Sequence, residues 1–83
     1  MKPESIKILT GEIDYKLGRI EFFKTRLEEW ENKEDKEYDQ SLRRLAKLID
    51  ETANLIQIMR LEELDEFDKY QEIFKKLNTH DKQ

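Results

Sequence analysis

Glycine and proline occur only in the first 18 of the 83 residues, as Pro3, Gly11 and Gly18. Inside a helix, glycine costs about 1 kcal/mol and proline about 3 kcal/mol relative to alanine. The chain from residue 19 onward therefore lacks a strong helix breaker, and we expect helix through most of it. Charged residues of both signs, 43% of the total, are interspersed as on solvated helix faces. The predicted fold class is all-α.

Size and composition restrict what this small acidic chain can do. A domain of 83 residues buries a thin core and often gains stability by oligomerisation. With no cysteine and with His80 as its one histidine, the chain predicts no disulfide and no metal site, and no cofactor is expected. A net charge of −4 gives no general attraction to nucleic acid or anionic lipid. Without a signal peptide or an apolar stretch of membrane-spanning length, the expected compartment is the cytoplasm.

The first helix is predicted over about residues 5–31. Its apolar residues repeat every seven positions, as in a coiled coil or another helix that packs along one seam. Lys16 is the one polar residue among these positions. It can be accommodated because its aliphatic stem can lie along the seam while its ammonium group reaches water. The a positions are Ile6, Ile13, Ile20 and Leu27, and the d positions are Leu9, Lys16, Phe23 and Trp30.

A second apolar row follows the same helix with the same seven-residue spacing, through Ile8, Tyr15 and Phe22. Either this row widens the apolar arc and lines the edge of the core, or it forms a surface for a partner. Gly11 and Gly18 are also seven residues apart. They are either tolerated surface residues or positions where another backbone approaches closely.

A polar stretch predicts a turn at about residues 32–37, followed by a second helix over about 38–78 and a polar tail at 79–83. A short link makes the two helices antiparallel neighbours. The second helix has an apolar seam through Leu42, Leu45, Ile49, Thr52, Ile56 and Met59, widened by Leu48 and Leu55. Residues 55–61 are apolar on nearly every side. A helical segment that is apolar all round is usually buried all round.

Two architectures fit the second helix. It either continues unbroken to residue 78, giving a helical hairpin, or breaks near residues 60–63 and folds back, giving a three-helix bundle. We favour the unbroken helix, because residues 60–63 contain no glycine, proline or good cap residue. Such a helix of about 40 residues is about 60 Å long and outruns the first helix by about 20 Å. An antiparallel homodimer, a four-helix bundle, is therefore predicted to cover the overhang.

The residues expected at the dimer or partner interface combine the second row of the first helix, the apolar segment at 55–61 and the apolar residues that follow it. Burial of each such side chain is worth about 1.5–3 kcal/mol, so they are not expected to stay in water. They are Ile8, Tyr15, Phe22, Leu55, Ile58, Leu61, Leu64, Phe67, Tyr70, Phe74 and Leu77.

Two short segments resemble motifs of known families. Trp30-Glu31-Asn32 before the turn resembles the small secreted helical hairpins with a Trp-x-Gly turn, but asparagine replaces the glycine and Phe74 stands where their Tyr-x-x-x-acid signal needs an acid. Glu62, Glu63 and Glu66 resemble the Glu-Glu-x-x-Glu pattern of all-α nucleotide pyrophosphohydrolases, which implies magnesium bound to carboxylates. That family also needs a later Glu-x-x-Asp, and here Glu72 is followed at the third position by lysine. We interpret the acidic segment as a solvated helix face.

The densest basic patch consists of Arg43, Arg44 and Lys47. Asp50 and Glu51 follow about one turn later, and we expect them to pair with this patch along the helix. The leading functional prediction is a non-enzymatic protein–protein interaction module, an adaptor or inhibitor of the kind that phages and other mobile elements encode. Its expected partners are a second copy and another protein, not nucleic acid or membrane. The alternatives are a metal-dependent nucleotide pyrophosphohydrolase-like protein and a nucleic-acid-associated regulator that uses the basic patch.

Overall fold

The computed structural model of the chain describes residues 1–78, and the tail predicted at 79–83, with His80, lies outside them. Three helices and no strand occur in this range: α1 is Pro3–Glu28, α2 is Lys36–Leu61 and α3 is Phe67–Asn78. The all-α prediction is confirmed. Lys16 of α1 pairs with Glu51 of α2, and Trp30 after α1 contacts Tyr38 near the start of α2, so these two helices are antiparallel.

The first helix begins two residues earlier than predicted and ends three residues earlier. Pro3 occupies its first turn, where the missing N–H of proline costs nothing because that group has no helical partner. Inside the helix, the Thr10 hydroxyl donates to the Lys7 carbonyl oxygen at 3.1 Å. The connection occupies residues 29–35, where the Asn32 side-chain oxygen accepts a hydrogen bond from the Glu34 N–H at 3.1 Å.

The core lies along the predicted seam of α1. Lys16 is half-buried and its Nζ lies 2.9 Å from Glu51 and 3.4 Å from Glu12, so its stem follows the seam while its charge is neutralised at the edge. Leu17, which the heptad assignment left out, is buried as well. The buried residues of α1 are Leu9, Ile13, Leu17, Ile20, Phe23 and Leu27, and α2 adds Thr52, Ile56 and Met59. The buried Thr52 hydroxyl donates to the Leu48 carbonyl oxygen at 2.6 Å.

The single helix predicted for 38–78 is instead two helices, and residues 62–66 separate them. Glu63 has a positive φ of 56°, in the left-handed region. Its N–H donates to the Arg60 carbonyl at 3.1 Å, and the Leu64 N–H donates to the Met59 carbonyl at 3.0 Å. This pair of bonds is the Schellman arrangement that ends many helices, usually with glycine at the left-handed residue. The sequence hides the break because a glutamate takes that place.

The third helix folds back along the first. Tyr70 and Phe74 are buried in the same cluster as Leu9, Ile13 and Leu17, and Leu64 packs against that cluster from the turn. The ammonium group of Lys24 on α1 donates to the Leu77 carbonyl at the end of α3. The chain therefore covers Tyr70 and Phe74 itself, and the overhang expected of a 40-residue helix is absent.

Candidate interaction surface on the first helix

The outer side of α1 carries a row of exposed apolar residues. Ile8, Tyr15 and Phe22 are 73%, 64% and 48% exposed. At about 100° per residue, the row and the small residues beside it point almost directly away from the buried face of α1. The row is therefore on the surface and does not widen the core, which was one of the two alternatives from the sequence.

Small residues alternate with this row. Gly11, Gly18 and Thr25 each lie three residues after a member of the row, so large and small side chains alternate along the same stripe. A Cβ atom added at either glycine meets nothing within 4 Å. A shallow groove at Gly18 is bordered by Phe22, Thr25 and Arg26, among other residues. The fold of this chain thus gives no packing reason for the two glycines, although each weakens the helix. We name the stripe of Ile8, Gly11, Tyr15, Gly18, Phe22 and Thr25 the outer face.

Arginines on one edge of the outer face stack on aromatic rings. The guanidinium carbon of Arg19 lies 5.1 Å from the ring centroids of both Phe22 and Phe23. Arg26 lies 5.3 Å from the ring of Trp30 in the same way. Cation–π contacts of this kind are worth about 0.5–1 kcal/mol at exposed sites. They hold each side chain in place while its N–H groups remain available to a carboxylate.

The basic edge of the outer face continues onto α2. One cleft brings Arg19, Arg26 and Arg44 together beside Trp30, with Glu37 as its acidic member. The opposite edge of the outer face carries Asp14, Glu21 and Glu28. The surface therefore has an apolar centre, one mainly basic edge and one mainly acidic edge.

The ion pairs differ from those expected for the basic patch. Arg43 pairs with Asp39, at 3.2 Å, and not with a residue one turn later. Glu51 pairs with Lys16 of α1, and Lys47 acts on Glu51 only through its charge. The hydrogen bond from Lys16 lowers the pKa of Glu51, and the same bond raises the pKa of Lys16 above 10.5. Glu51 thus pairs between helices, while Arg43 pairs within α2 with a residue one turn earlier.

Comparison with protein-family models, with curated proteins and with solved structures found no match for this chain. Function is therefore inferred from its own residues. No group of three or more His, Cys, Asp or Glu in residues 1–78 is placed to hold a metal ion. Among the described helices, none has the length and apolar character to cross a membrane.

The other residues predicted at an interface are buried, exposed or partly buried, depending on where they lie in the fold. Tyr70 and Phe74 are buried by α1 of their own chain, which accounts for two of the residues expected to need a second copy. Ile58 and Leu61 are exposed at the end of α2, so the segment at 55–61 is not buried all round. The other four predicted residues are partly buried and pack against the core: Leu55, Leu64, Phe67 and Leu77.

The acidic segment does not form the helix face that the sequence suggested. Glu62 caps α2, Glu63 has a left-handed conformation and Glu66 lies before α3. All three are exposed. The Glu-Glu-x-x-Glu pattern therefore falls in a turn and does not present carboxylates along one helix.

Sequence reasoning missed the arginine edge. The signal was present, since each of these arginines precedes an aromatic residue by three or four positions, Arg19 before Phe22 and Phe23 and Arg26 before Trp30. Only the structure shows that Arg44 of α2 joins them in one cleft.

Proposed function

We propose that this chain is a non-enzymatic protein–protein interaction module, an adaptor or inhibitor, that binds through the outer face of α1. The observation that carries the proposal is the exposed row of Ile8, Tyr15 and Phe22 with glycines between its members. Burial of such side chains is worth about 1.5–3 kcal/mol each, and this chain leaves most of that free energy unused. Contiguous exposed apolar residues with polar edges are typical of protein-binding sites.

The chemistry of the edges supports a helical protein partner. A stripe of large and small residues at a spacing of three and four accepts side chains from a second helix. The ring-stacked Arg19 and Arg26 fit carboxylates on that helix. Their guanidinium groups already cover the rings of Phe22, Phe23 and Trp30, so these faces are less open to nucleotide bases than to an acidic side chain.

The predicted homodimer remains a proposal, but its physical basis changes. The four-helix bundle was predicted because an apolar stripe after residue 61 lacked cover. In the structure, α3 packs that stripe against α1. The outer face of α1 is now the surface that a second copy or another protein would cover. The cytoplasm remains the proposed compartment.

The two alternative functions use other residues. A pyrophosphohydrolase would use Glu62, Glu63 and Glu66, which lie in a turn. A nucleic-acid regulator would use Arg43, Arg44 and Lys47, and Arg43 is paired with Asp39. The second alternative predicts binding that weakens steeply with salt, because phosphate contacts release counterions.

A photo-crosslinking amino acid tests the proposed surface in cells. We expect benzoylphenylalanine in place of Tyr15 to form adducts with polypeptides, because that position lies at the centre of the outer face. The matched control is the same substitution at Asn54, which is exposed on α2. The adducts should resist nuclease, and they should disappear when Ile8 and Phe22 are both changed to serine while the helical circular dichroism spectrum is kept. No adduct at position 15, or equal adducts at both positions, contradicts the proposal.

A further inference from the structure

We infer that the occupant of the outer face is the α1 helix of a second copy of this chain, parallel and in register with the first. The inference rests on the proposed function, because it names the partner of that same surface. It differs from the dimer expected from the sequence, which was antiparallel and involved the segment after residue 61. The outer face lies opposite the core, so α2 and α3 leave it open to a second molecule.

The shapes along the outer face suit a parallel pair. In a heptad frame of its own, distinct from that of the core seam, Ile8, Tyr15 and Phe22 occupy the a positions and Gly11, Gly18 and Thr25 the d positions. In a parallel two-stranded coil, each a side chain enters a hole bounded by four residues of the other helix, which include two d residues and the equivalent a residue. Glycine at those d positions enlarges the hole enough for an aromatic ring. Tyr15 would enter the hole between Gly11 and Gly18 of the second copy.

The charges along the edges favour the same arrangement. In a parallel coil, a g residue faces the e residue five positions later on the other helix. The three facing pairs are all of opposite charge: Lys7 with Glu12, Asp14 with Arg19, and Glu21 with Arg26. Two-fold symmetry doubles each pair.

An antiparallel pair places the charges less well. There, g residues face g residues and e residues face e residues. The register that opposes large and small side chains keeps two pairs of opposite charge, Lys7 with Glu28 and Glu12 with Arg19, but brings Asp14 close to Glu21 of the other helix. It also places Arg26 opposite Ser5 and not opposite an acid. Charge complementarity therefore selects the parallel orientation.

The structure prepares the basic partners of these pairs. Arg19 and Arg26 are each held over an aromatic ring of their own chain, at 5.1 Å and 5.3 Å. A side chain that is already held loses less conformational freedom when it pairs. The second copy thus meets Arg19 and Arg26 already held in place on one edge, and Asp14 and Glu21 as their carboxylate partners on the other.

Sedimentation equilibrium from micromolar to millimolar protein tests the inference. We expect a reversible monomer–dimer equilibrium, since three heptads make a small interface. Changing Tyr15 and Phe22 to serine should remove the dimer while circular dichroism shows an unchanged helix content. A wild-type chain that stays monomeric over the whole range overturns the inference.

Charge reversal at one facing pair tests the orientation. Glu21→Arg places two cations together in the parallel dimer and should weaken association about tenfold. Arg26→Glu should do the same, and the double variant E21R/R26E should restore association to near the wild-type value. In the antiparallel dimer, Glu21→Arg would instead place arginine beside Asp14 and strengthen association. That result, or failure of the double variant to recover, overturns the parallel register.

The glycines provide a test in which two measurements move in opposite directions. Gly18→Ala adds a methyl group that meets nothing in the monomer, so it should raise the Tm at a monomeric concentration by about 4–8 °C. The same methyl group narrows the hole for Tyr15 of the second copy and should weaken dimerisation. Unchanged or stronger dimerisation in Gly18→Ala contradicts the packing.

The adducts at position 15 separate this inference from the proposed function. Adducts of twice the chain mass, reproduced with the purified protein alone, support self-association. Adducts to a different protein only, together with a monomeric purified chain, overturn the second copy as partner and leave the proposed interaction surface intact. If position 15 forms no adduct of either kind, the second copy as partner and the proposed interaction surface are both contradicted.

Discussion

Replacement of Glu63 by glycine is expected to stabilise the chain. Glu63 has a φ of 56° in the turn between α2 and α3. A left-handed conformation costs a residue with a Cβ atom about 1–2 kcal/mol, and glycine adopts it without that strain. Glycine also brings a larger loss of backbone entropy on folding, about 0.5–1 kcal/mol. The net gain in the free energy of unfolding is therefore about 0.5–1 kcal/mol.

Urea titration followed by circular dichroism at the helix band measures this gain, and thermal melts provide a second reading. For a domain of this size we expect the Tm to rise by about 2–8 °C. The urea midpoint should rise without a change in slope, because the surface exposed on unfolding stays the same. The measurement belongs at a low concentration, where self-association does not contribute.

Glu62→Gly is the matched control, because it removes the same charge one residue earlier. Glu62 has an ordinary φ of −88°, so glycine there relieves no strain and should destabilise the chain. If α2 instead continued through this segment as one helix, both substitutions would cost about 1 kcal/mol. Destabilisation by Glu63→Gly equal to that by Glu62→Gly would refute the break between α2 and α3.

Three further predictions concern the core and its edges. Met59→Ala should cost about 2–5 kcal/mol in urea unfolding because Met59 is fully buried, and the exposed neighbour Ile58 should tolerate alanine at small cost; equal costs would contradict the packing. Burial and a hydrogen bond to Asp14 raise the pKa of Tyr70 to about 12 from 10.0, so stability should fall as pH rises from 10 to 12. Ultraviolet titration should show one tyrosine ionising near pH 12, and Tyr70→Phe should remove that step. The hydrogen bond from Lys16 lowers the pKa of Glu51, so the pair stabilises the fold above about pH 4.5 and is lost in acid; Lys16→Met, compared by urea unfolding across pH, should reduce this acid dependence.

The sequence predicted the parts of this fold that follow from periodicity. Of the seven apolar positions in the seven-residue repeat of α1, five are buried and two, Ile6 and Trp30, are half-buried. The five buried residues are Leu9, Ile13, Ile20, Phe23 and Leu27. The repeat is reliable because helical geometry places these side chains on one face whatever lies opposite. The sequence also predicted the first turn, because a run of polar residues has no apolar side chain to bury in the core.

The second turn could not be read from residue types. It depends on Glu63 in a conformation that usually belongs to glycine, and on Leu64 packing against the core beyond it. Tertiary contacts of Tyr70 and Phe74 hold α3 in place and offset that local cost. Local propensity alone favours the unbroken helix, and the energy that reverses this preference comes from residues distant in sequence.

The candidate surface was partly visible in the sequence. The row of Ile8, Tyr15 and Phe22 was found, but periodicity alone could not tell a wider core from an exposed face. That distinction depends on where α2 and α3 lie, because two helices cover only one side of α1. The arginine edge needed the antiparallel pairing of α1 with α2, which brings Arg44 next to Arg19.

The two apolar stripes of α1 have no residue in common. Mutation can therefore alter the outward stripe independently of the buried one, except at Phe22, whose ring centroid lies 5.5 Å from that of the buried Phe23. If the outer face binds as proposed, what it binds can change while the architecture stays constant. The inward stripe should change slowly over generations, and the outward stripe should vary with the partner that we propose for it.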